Sequence, residues 1–303
     1  MGSSYCAALY GKYLLQGLAD VDSEAWLASE FIHYPSPLAK GDLAVAISQS
    51  GESVESVKAV RFLKKKHCTV LCITNKAEST MAKLSDRLLL THAGEERASA
   101  TKTFVSALAL LHQLAVSTAT TNRRMPETKG ALFSARLLHC AATMKDRLHS
   151  WERVAMPWGR VLARSRAAVI LGRGYDLPAA LQGALLVKEV SKIPAEGMTG
   201  GEFMHGPLEM TSPQLFTVAL AGGRTSSLMR RLALSIRGLG GKVLMLTPKQ
   251  VGDVNSIRFD ETDETLTLFP SIVLLELLAY FAALEKHLNP DRFRFISKVT
   301  RSE

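Results

Sequence analysis

Short apolar runs alternate along the chain with longer stretches in which apolar residues recur every three or four positions. Leu43–Ile47 is a continuous apolar run. It gives way to Val54, Val57, Val60 and Leu63 at helical spacing, with Lys58, Arg61, Lys64, Lys65 and Lys66 on other faces or in the last turn. Val70–Thr74 reads as the next buried strand. Strand, loop, helix and strand within about thirty residues make a βαβ unit, the building block of a parallel sheet. Further strands are expected at Leu88–Leu90, Ala167–Leu171, Phe216–Leu220, Val243–Leu246 and Leu266–Leu268. Helices are expected over Thr103–Val116, Pro178–Lys192 and Ser271–His287. Between the halves, Thr118–Met125 is polar and Gly130–His149 is helical, which predicts a helical connection and a boundary near residue 150. The fold class is α/β in two halves, each doubly wound.

An internal repeat supports two halves. Gly2-Ser3-Ser4-Tyr5, followed by Ala7-Ala8, resembles Gly172-Arg173-Gly174-Tyr175, followed by Ala179-Ala180, and each leads into a long helix. In the second half the glycine follows a complete strand, Ala167–Leu171. In the first half only Met1 precedes it, so the opening strand of the first sheet is missing, and Met1 is expected to be an internal methionine of a longer protein.

The loop after the first strand, Ser48-Gln49-Ser50-Gly51-Glu52-Ser53, has the composition of an anion site. Free backbone N–H groups, the positive end of a helix dipole and serine hydroxyls converge there, and phosphate is the expected guest. The Gly-x-x-x-x-Gly-Lys-Ser/Thr pattern is absent, and no lysine follows Gly51 where a triphosphate would need one, so a single phosphoryl group is provided for. The plainer reading is an ordinary helix cap by Ser50 or Ser53.

Composition narrows the function classes. The chain has 303 residues, 47% hydrophobic and 21% charged, as in a globular protein with a full core. Its net charge of +9 is spread along the chain without aromatic interleaving, which favours small anionic substrates over nucleic acid. Cys6, Cys68, Cys72 and Cys140 lack metal or redox spacing and fit reduced, buried thiols in a cytoplasmic protein. Nothing at the N-terminus of this sequence resembles a signal peptide, and the longest apolar stretch, Ile272–Leu284, is interrupted by Glu276 and reads as a buried helix too short for a bilayer. No membrane association is expected.

A second constellation lies in the second half. Glu189 sits in the Pro178–Lys192 helix, and Gly200-Gly201-Glu202-Phe203-Met204-His205-Gly206-Pro207 follows, where Gly-Pro holds the histidine in a turn. His205 and Glu209 are four apart, but Pro207 breaks the helix that would align them on a metal. Cys68 and Cys72 share that spacing within a strand, which separates them.

Together with Ser48–Ser53, these residues resemble the sugar isomerase (SIS) domain family, and within it the isomerase half of the glucosamine-6-phosphate synthases and the related deaminases. Gly2-Ser3-Ser4, Ala28-Ser29-Glu30-Phe31, Thr101-Lys102-Thr103-Phe104, Lys188-Glu189, Ala195-Glu196, His205-Gly206-Pro207 and Ser297-Lys298 complete the likeness. It implies two flavodoxin-like subdomains of about five strands each. These are expected at residues 1–125 and 156–288, with a helical connection at 126–155 and a tail over the active site at 289–303.

By position, the resemblance implies that Ser48, Gln49, Ser50 and Ser53 hold a sugar 6-phosphate and that Ser3 and Ser4 line the sugar. Glu189 would be the base moving a proton between C1 and C2, a role suited to a partly buried carboxylate with a raised pKa and needing no metal or other cofactor. His205 would open the ring, reaching the site from the partner subunit, so a homodimer with a shared site is implied. Lys298 would close over the sugar. Departures accompany the matches. Leu186 stands where the synthases have a lysine, Gln182 where they have a glutamate, and Asp291-Arg292-Phe293-Arg294-Phe295 replaces their Pro-Arg-Asn-Leu run.

The expected function is therefore a phosphosugar isomerase or deaminase acting on a hexose or hexosamine 6-phosphate. An isomerizing aminotransferase using external ammonia, a non-catalytic sugar-phosphate sensor and an inactive fragment are the alternatives.

Overall fold

The structure is a computed structural model that describes residues 1–295. It divides into two compact units, with the division at Phe133 and Ser134 and a return to the first unit at Phe293.

The first unit carries α1 (Ser3–Ala19), α2 (Ala28–Phe31), β1 (Leu43–Ile47), α3 (Val54–Lys65), β2 (Thr69–Thr74), α4 (Thr80–Leu84), β3 (Arg87–Leu90) and α5 (Lys102–Thr121). Its strands form a parallel sheet in the order β1-β2-β3. The pattern of α3 is realised as read: Val57, Val60 and Leu63 are buried against β2, and Lys64 and Lys65 lie in the last turn, where the helix dipole favours cations. α1 packs along α5. α5 continues to Thr121, so Thr118–Thr121, read as polar connection, is helix.

The helix α6 (Glu127–Ala163) begins in the first unit and ends in the second, extending about two turns beyond the connection expected at 126–155. The second unit then carries β4 (Ala167–Gly172), α7 (Leu177–Leu186), β5 (Ala195–Thr199), α8 (Gly200–Phe203), β6 (Leu215–Leu220), α9 (Ser226–Gly238), β7 (Lys242–Thr247), β8 (Ser256–Arg258) and α10 (Leu268–Glu285). All neighbours in the order β5-β4-β6-β7-β8 are parallel. Every residue of β6 is buried, as a central strand covered on both faces requires. Val169, Leu171, Ala219, Val243 and Met245 face α9 through Met229, Leu232, Ala233 and Ile236. Ile170, on the opposite face, meets Gly183 of α7 and Leu275 of α10 closely enough that a Cβ on Gly183 would lie 3.0 Å from Ile170 and 2.6 Å from Leu275. This is the two-sheet doubly wound α/β fold expected from the sequence.

Three expectations about strands are corrected. Leu266–Leu268 is no strand: Leu266 and Thr267 turn into α10, and the last strand is Ser256–Arg258 instead. β5 was not anticipated, because Glu196 and Gly197 interrupt any apolar run. The first sheet has three strands among the described residues, not about five. The reason is pairing. In the second unit β5 bonds only to β4, and α8 (Gly-Gly-Glu-Phe) follows it, as α2 (Ala-Ser-Glu-Phe) follows residues 21–27 in the first unit. No counterpart of β4 precedes α1 among the described residues, so residues 21–27 have no neighbour to bond and form no strand.

α5 and α10 are long and apolar enough to cross a bilayer, so length alone does not set Ile272–Leu284 apart. Their burial does: 50% of the apolar stretch of α5 and 61% of that of α10 is already covered inside the fold. The cysteines are free and buried. Burial pushes the Cys72 thiol up to about 11 and the Cys140 thiol up to about 12, the latter also facing Glu261.

Asp176 ties the second sheet to its helices. Its carboxylate accepts from Gly222 N–H at 2.9 Å and from Thr267 Oγ1 at 3.1 Å, joining the ends of β4 and β6 to the start of α10. Those bonds favour the anion, but burial outweighs them and raises the carboxyl from 3.8 to about 6. A raised carboxyl contributes stability that is full below its unfolded value and is lost as pH rises through about 6, a difference of about 3 kcal/mol. Asp176→Asn keeps the shape without the charge. Urea unfolding from pH 4 to 7 should show the variant gaining about 2 kcal/mol relative to the parent across that window, whereas parallel curves would refute the assignment.

Candidate functional site

The loop 48–53 leaves the carboxyl end of β1 and enters α3 with Ser53 as the residue before its first turn. Ser48 N–H donates to Ile73 C=O at 3.0 Å, prolonging the β1–β2 ladder by one bond. Beyond it the loop turns on its own hydroxyls. Ser48 Oγ accepts from Gly51 N–H at 3.1 Å and Ser50 Oγ from Glu52 N–H at 3.2 Å. Each hydroxyl uses its oxygen in the turn and keeps its O–H to donate. The Ser53 side chain makes no capping bond, so the plain helix-cap reading does not describe the loop.

Neighbours hold this turn in place. The Gln49 carbonyl accepts from Asn75 N–H at 3.1 Å and from Thr74 Oγ1 at 3.2 Å. Gly51 C=O accepts from Met81 N–H at 3.0 Å, and the Glu52 carboxylate accepts from Thr80 N–H at 2.7 Å at the start of α4. Ser48 and Ser50 are buried at 4% and 8% exposure, so their geometry is set by packing rather than by solvent. Gly51 is the hinge: its φ is +65°, and a Cβ there would lie 2.1 Å from Ser79 Oγ. Ser3 and Ser4 form the first turn of α1 in the same unit and are partly buried.

In the second unit the helix carrying Glu189 is not regular. α7 stops at Leu186, and Val187–Ser191 is a π turn, which inserts an extra residue and redirects the side chains after it. Val187, Val190 and Ser191 are buried, Glu189 is partly buried and Lys188 is exposed. Ser191 Oγ donates to Val187 C=O at 2.7 Å, and Lys192, in the left-handed conformation with φ 58°, ends the turn and donates Nζ to Glu189 C=O. His205 lies two residues past α8, whose N-terminus is capped by Thr199 Oγ1 accepting from Glu202 N–H at 3.0 Å. Fully buried Phe203 and partly buried Leu208 pin the turn on either side, and His205 itself is exposed. Gln182 and Leu186 are both buried. Lys298 lies outside the described residues.

The sequence singled out Ser3, Ser4, Ser48, Gln49, Ser50, Ser53, Glu189 and His205 as candidates; the π turn and the bracing by Thr74, Asn75 and Thr80 were not anticipated. Thr74 was visible as the polar end of an apolar strand, which is the one available signal.

Two doubly wound units, one of them with a hydroxyl-lined turn at the carboxyl end of its first strand, define an α/β protein of the open parallel-sheet class, in which ligand sites lie at the carboxyl ends of the strands. The SIS domain profile matches residues 1–117 and 161–268, and the chain belongs to the SIS domain family. It is 33% identical over 309 residues to the glutamine–fructose-6-phosphate aminotransferase (isomerizing) of Methanosarcina acetivorans, covering 100% of this chain and 50% of that protein. With its counterpart from Pyrococcus horikoshii it shares 34% identity over 321 residues, covering 100% of this chain and 51% of that protein. The chain thus spans about half the length of the curated relatives it matches. The solved C-terminal domain of glucosamine-fructose-6-phosphate aminotransferase from Francisella tularensis superposes with a TM-score of 0.91 at 26% identity, covering 96% of this chain and 85% of that one. The glucosamine-6-phosphate deaminase of Thermotoga maritima shares the fold, with a TM-score of 0.80 at 24% identity over 98% of this chain and 88% of that one.

Gly51→Ala should cost about 1–2 kcal/mol from the left-handed backbone alone, before the overlap with Ser79 is relieved. A lower Tm together with loss of any stabilisation by sugar phosphate is expected in a thermal shift assay. A variant that keeps full ligand response would show that the turn is not the binding element.

Proposed function

We propose that the chain is a phosphosugar isomerase or deaminase that acts on a hexose or hexosamine 6-phosphate. The observation that carries this reading is the 48–53 turn. Its serine oxygens are used internally, its hydroxyl protons remain to donate, and it opens at the N-terminus of α3, an arrangement matched to one phosphoryl group. Ser48, Gln49, Ser50 and Ser53 hold the phosphate, and Ser3 and Ser4 line the sugar.

In the open-chain aldose, the Glu189 carboxylate takes the proton from C2, giving an enediol or enolamine, and returns it to C1 to give the ketose or its imine. With an amino sugar, water then adds to the imine carbon and ammonia leaves. A partly buried carboxylate on a π turn supports that role, since such turns recur at functional sites. His205 assists ring opening, and its exposure supports the family arrangement in which it serves the partner subunit of a homodimer. Lys298 is assigned to closure over the sugar by family position alone. Four free, buried cysteines support a reducing, cytoplasmic setting.

A second reading, isomerizing amination of fructose 6-phosphate with external ammonia, is favoured by the identity of 33–34% to aminotransferases. Purified protein incubated with glucosamine 6-phosphate, or with fructose 6-phosphate plus ammonia, distinguishes the two by whether ammonia is released or consumed. Glu189→Gln should lower kcat by about 10²–10⁴-fold with little change in KM. Turnover untouched by that change would remove Glu189 as the base, and equal binding of sugars with and without the 6-phosphate would remove the loop as a phosphate site.

A further inference from the structure

The two units carry the same loop in two versions. In the first, Ser48 N–H bonds to Ile73 C=O at 3.0 Å; in the second, Ala221 N–H bonds to Leu246 C=O at 2.9 Å. Thr91 N–H to Thr74 C=O at 3.0 Å is matched by Phe259 N–H to Thr247 C=O at 3.2 Å. Lys76 N–H to Thr74 Oγ1 at 3.3 Å is matched by Lys249 N–H to Thr247 Oγ1 at 3.2 Å. Residues 221–225, between β6 and α9, therefore occupy in the second unit the place of residues 48–53 in the first. They lie beside β4, where the strand order reverses and open α/β sheets bind ligands.

The hydrogen-bond acceptors differ. The N–H groups of Gly222, Gly223 and Arg224 are three in succession, a backbone nest of the kind that holds anions. Gly222 N–H donates to Asp176 Oδ2 at 2.9 Å, and Arg224 N–H donates to Glu264 Oε2 at 3.2 Å. Asp176 is 3% exposed, and its other oxygen takes Thr267 Oγ1 at 3.1 Å. The Arg224 guanidinium pairs with Glu264 over this arrangement. Gly222 approaches so closely that a Cβ would lie 2.4 Å from Thr267 Oγ1, so the nest is shaped around these partners.

We infer that residues 221–225 are a second anion cradle whose anion is the chain's own Asp176 carboxylate, backed by Glu264, which closes the second unit to phosphate. Resting on the proposed function for the first unit, this makes each chain take up one phosphosugar, at residues 48–53. The two claims fail separately, because the first concerns Ser48 and Ser50 and the second Asp176.

The test uses inorganic phosphate and formate as probes on the full chain. In wild-type protein, amide resonances of Gly222, Gly223 and Arg224 should not move as phosphate is added, whether or not those of Gly51 and Glu52 do. Phosphate-dependent shifts at residues 222–224 would overturn the inference. Asp176→Ala empties the cradle, so its Tm should fall, and formate, which replaces the lost carboxylate, should restore about half of the loss or more by mass action while leaving wild type unchanged. Asp176→Asn, which retains an acceptor for Gly222, should need no formate. A folded Asp176→Ala protein indifferent to both anions would refute the inference, and the wild-type titration decides the matter should that variant not fold.

Discussion

A parallel strand that hands its chain to a helix leaves N–H groups at its carboxyl end with no partner in the ladder, and both units are organised around satisfying them. A buried amide without an acceptor costs about 1–3 kcal/mol, which is large against the net stability of a domain. The first unit meets the need with serine oxygens and the second with carboxylates. The two solutions leave different fields behind. A hydroxyl acceptor is neutral, so the N–H dipoles and the helix end still attract an incoming anion, and its own proton adds a donor. A carboxylate consumes the same field, and at Asp176 burial dominates the balance despite the bonds it accepts.

The bracing around these loops follows from that demand. Thr74 and Thr247 end equivalent central strands, and each uses its hydroxyl to accept an N–H two residues on, Lys76 and Lys249. Thr74 also donates to Gln49 C=O. Threonine suits both tasks, since its methyl group packs in the sheet while its oxygen fixes the chain just beyond it. Both are fully buried or nearly so, at 0% and 1% exposure, and the loops they hold inherit that rigidity.

Which features were legible in the sequence follows the same physics. Strands buried on both faces, such as β2, β6 and β7, read as unbroken apolar runs. β5 carries Glu196 and Gly197 and is held by β4, so its strand character lies in a neighbour rather than in its own residues. Leu266–Leu268 misled because an apolar triplet next to a helix has no period of its own. The serines of the loop at residues 48–53 were conspicuous by composition. Asp176 was not, since an aspartate ahead of a helix reads as a cap, and only the folded arrangement brings it to Gly222, 46 residues away in sequence.

The helix bearing Glu189 shows how packing and chemistry are coupled. Leu186 and Gln182 are buried at 1% and 0% exposure in a helix packed against α10 and β4. An ammonium at position 186 would have to leave that core or be paired within it, so an apolar residue there follows from the packing of that face. The π turn starts immediately after Leu186, where the helix ceases to serve only the core. By adding one residue to the turn it keeps Val187 and Val190 inside while bringing Glu189 to the boundary. A regular helix would fix all three directions by its 3.6-residue period, and the irregularity frees the carboxylate's position from the packing of its neighbours.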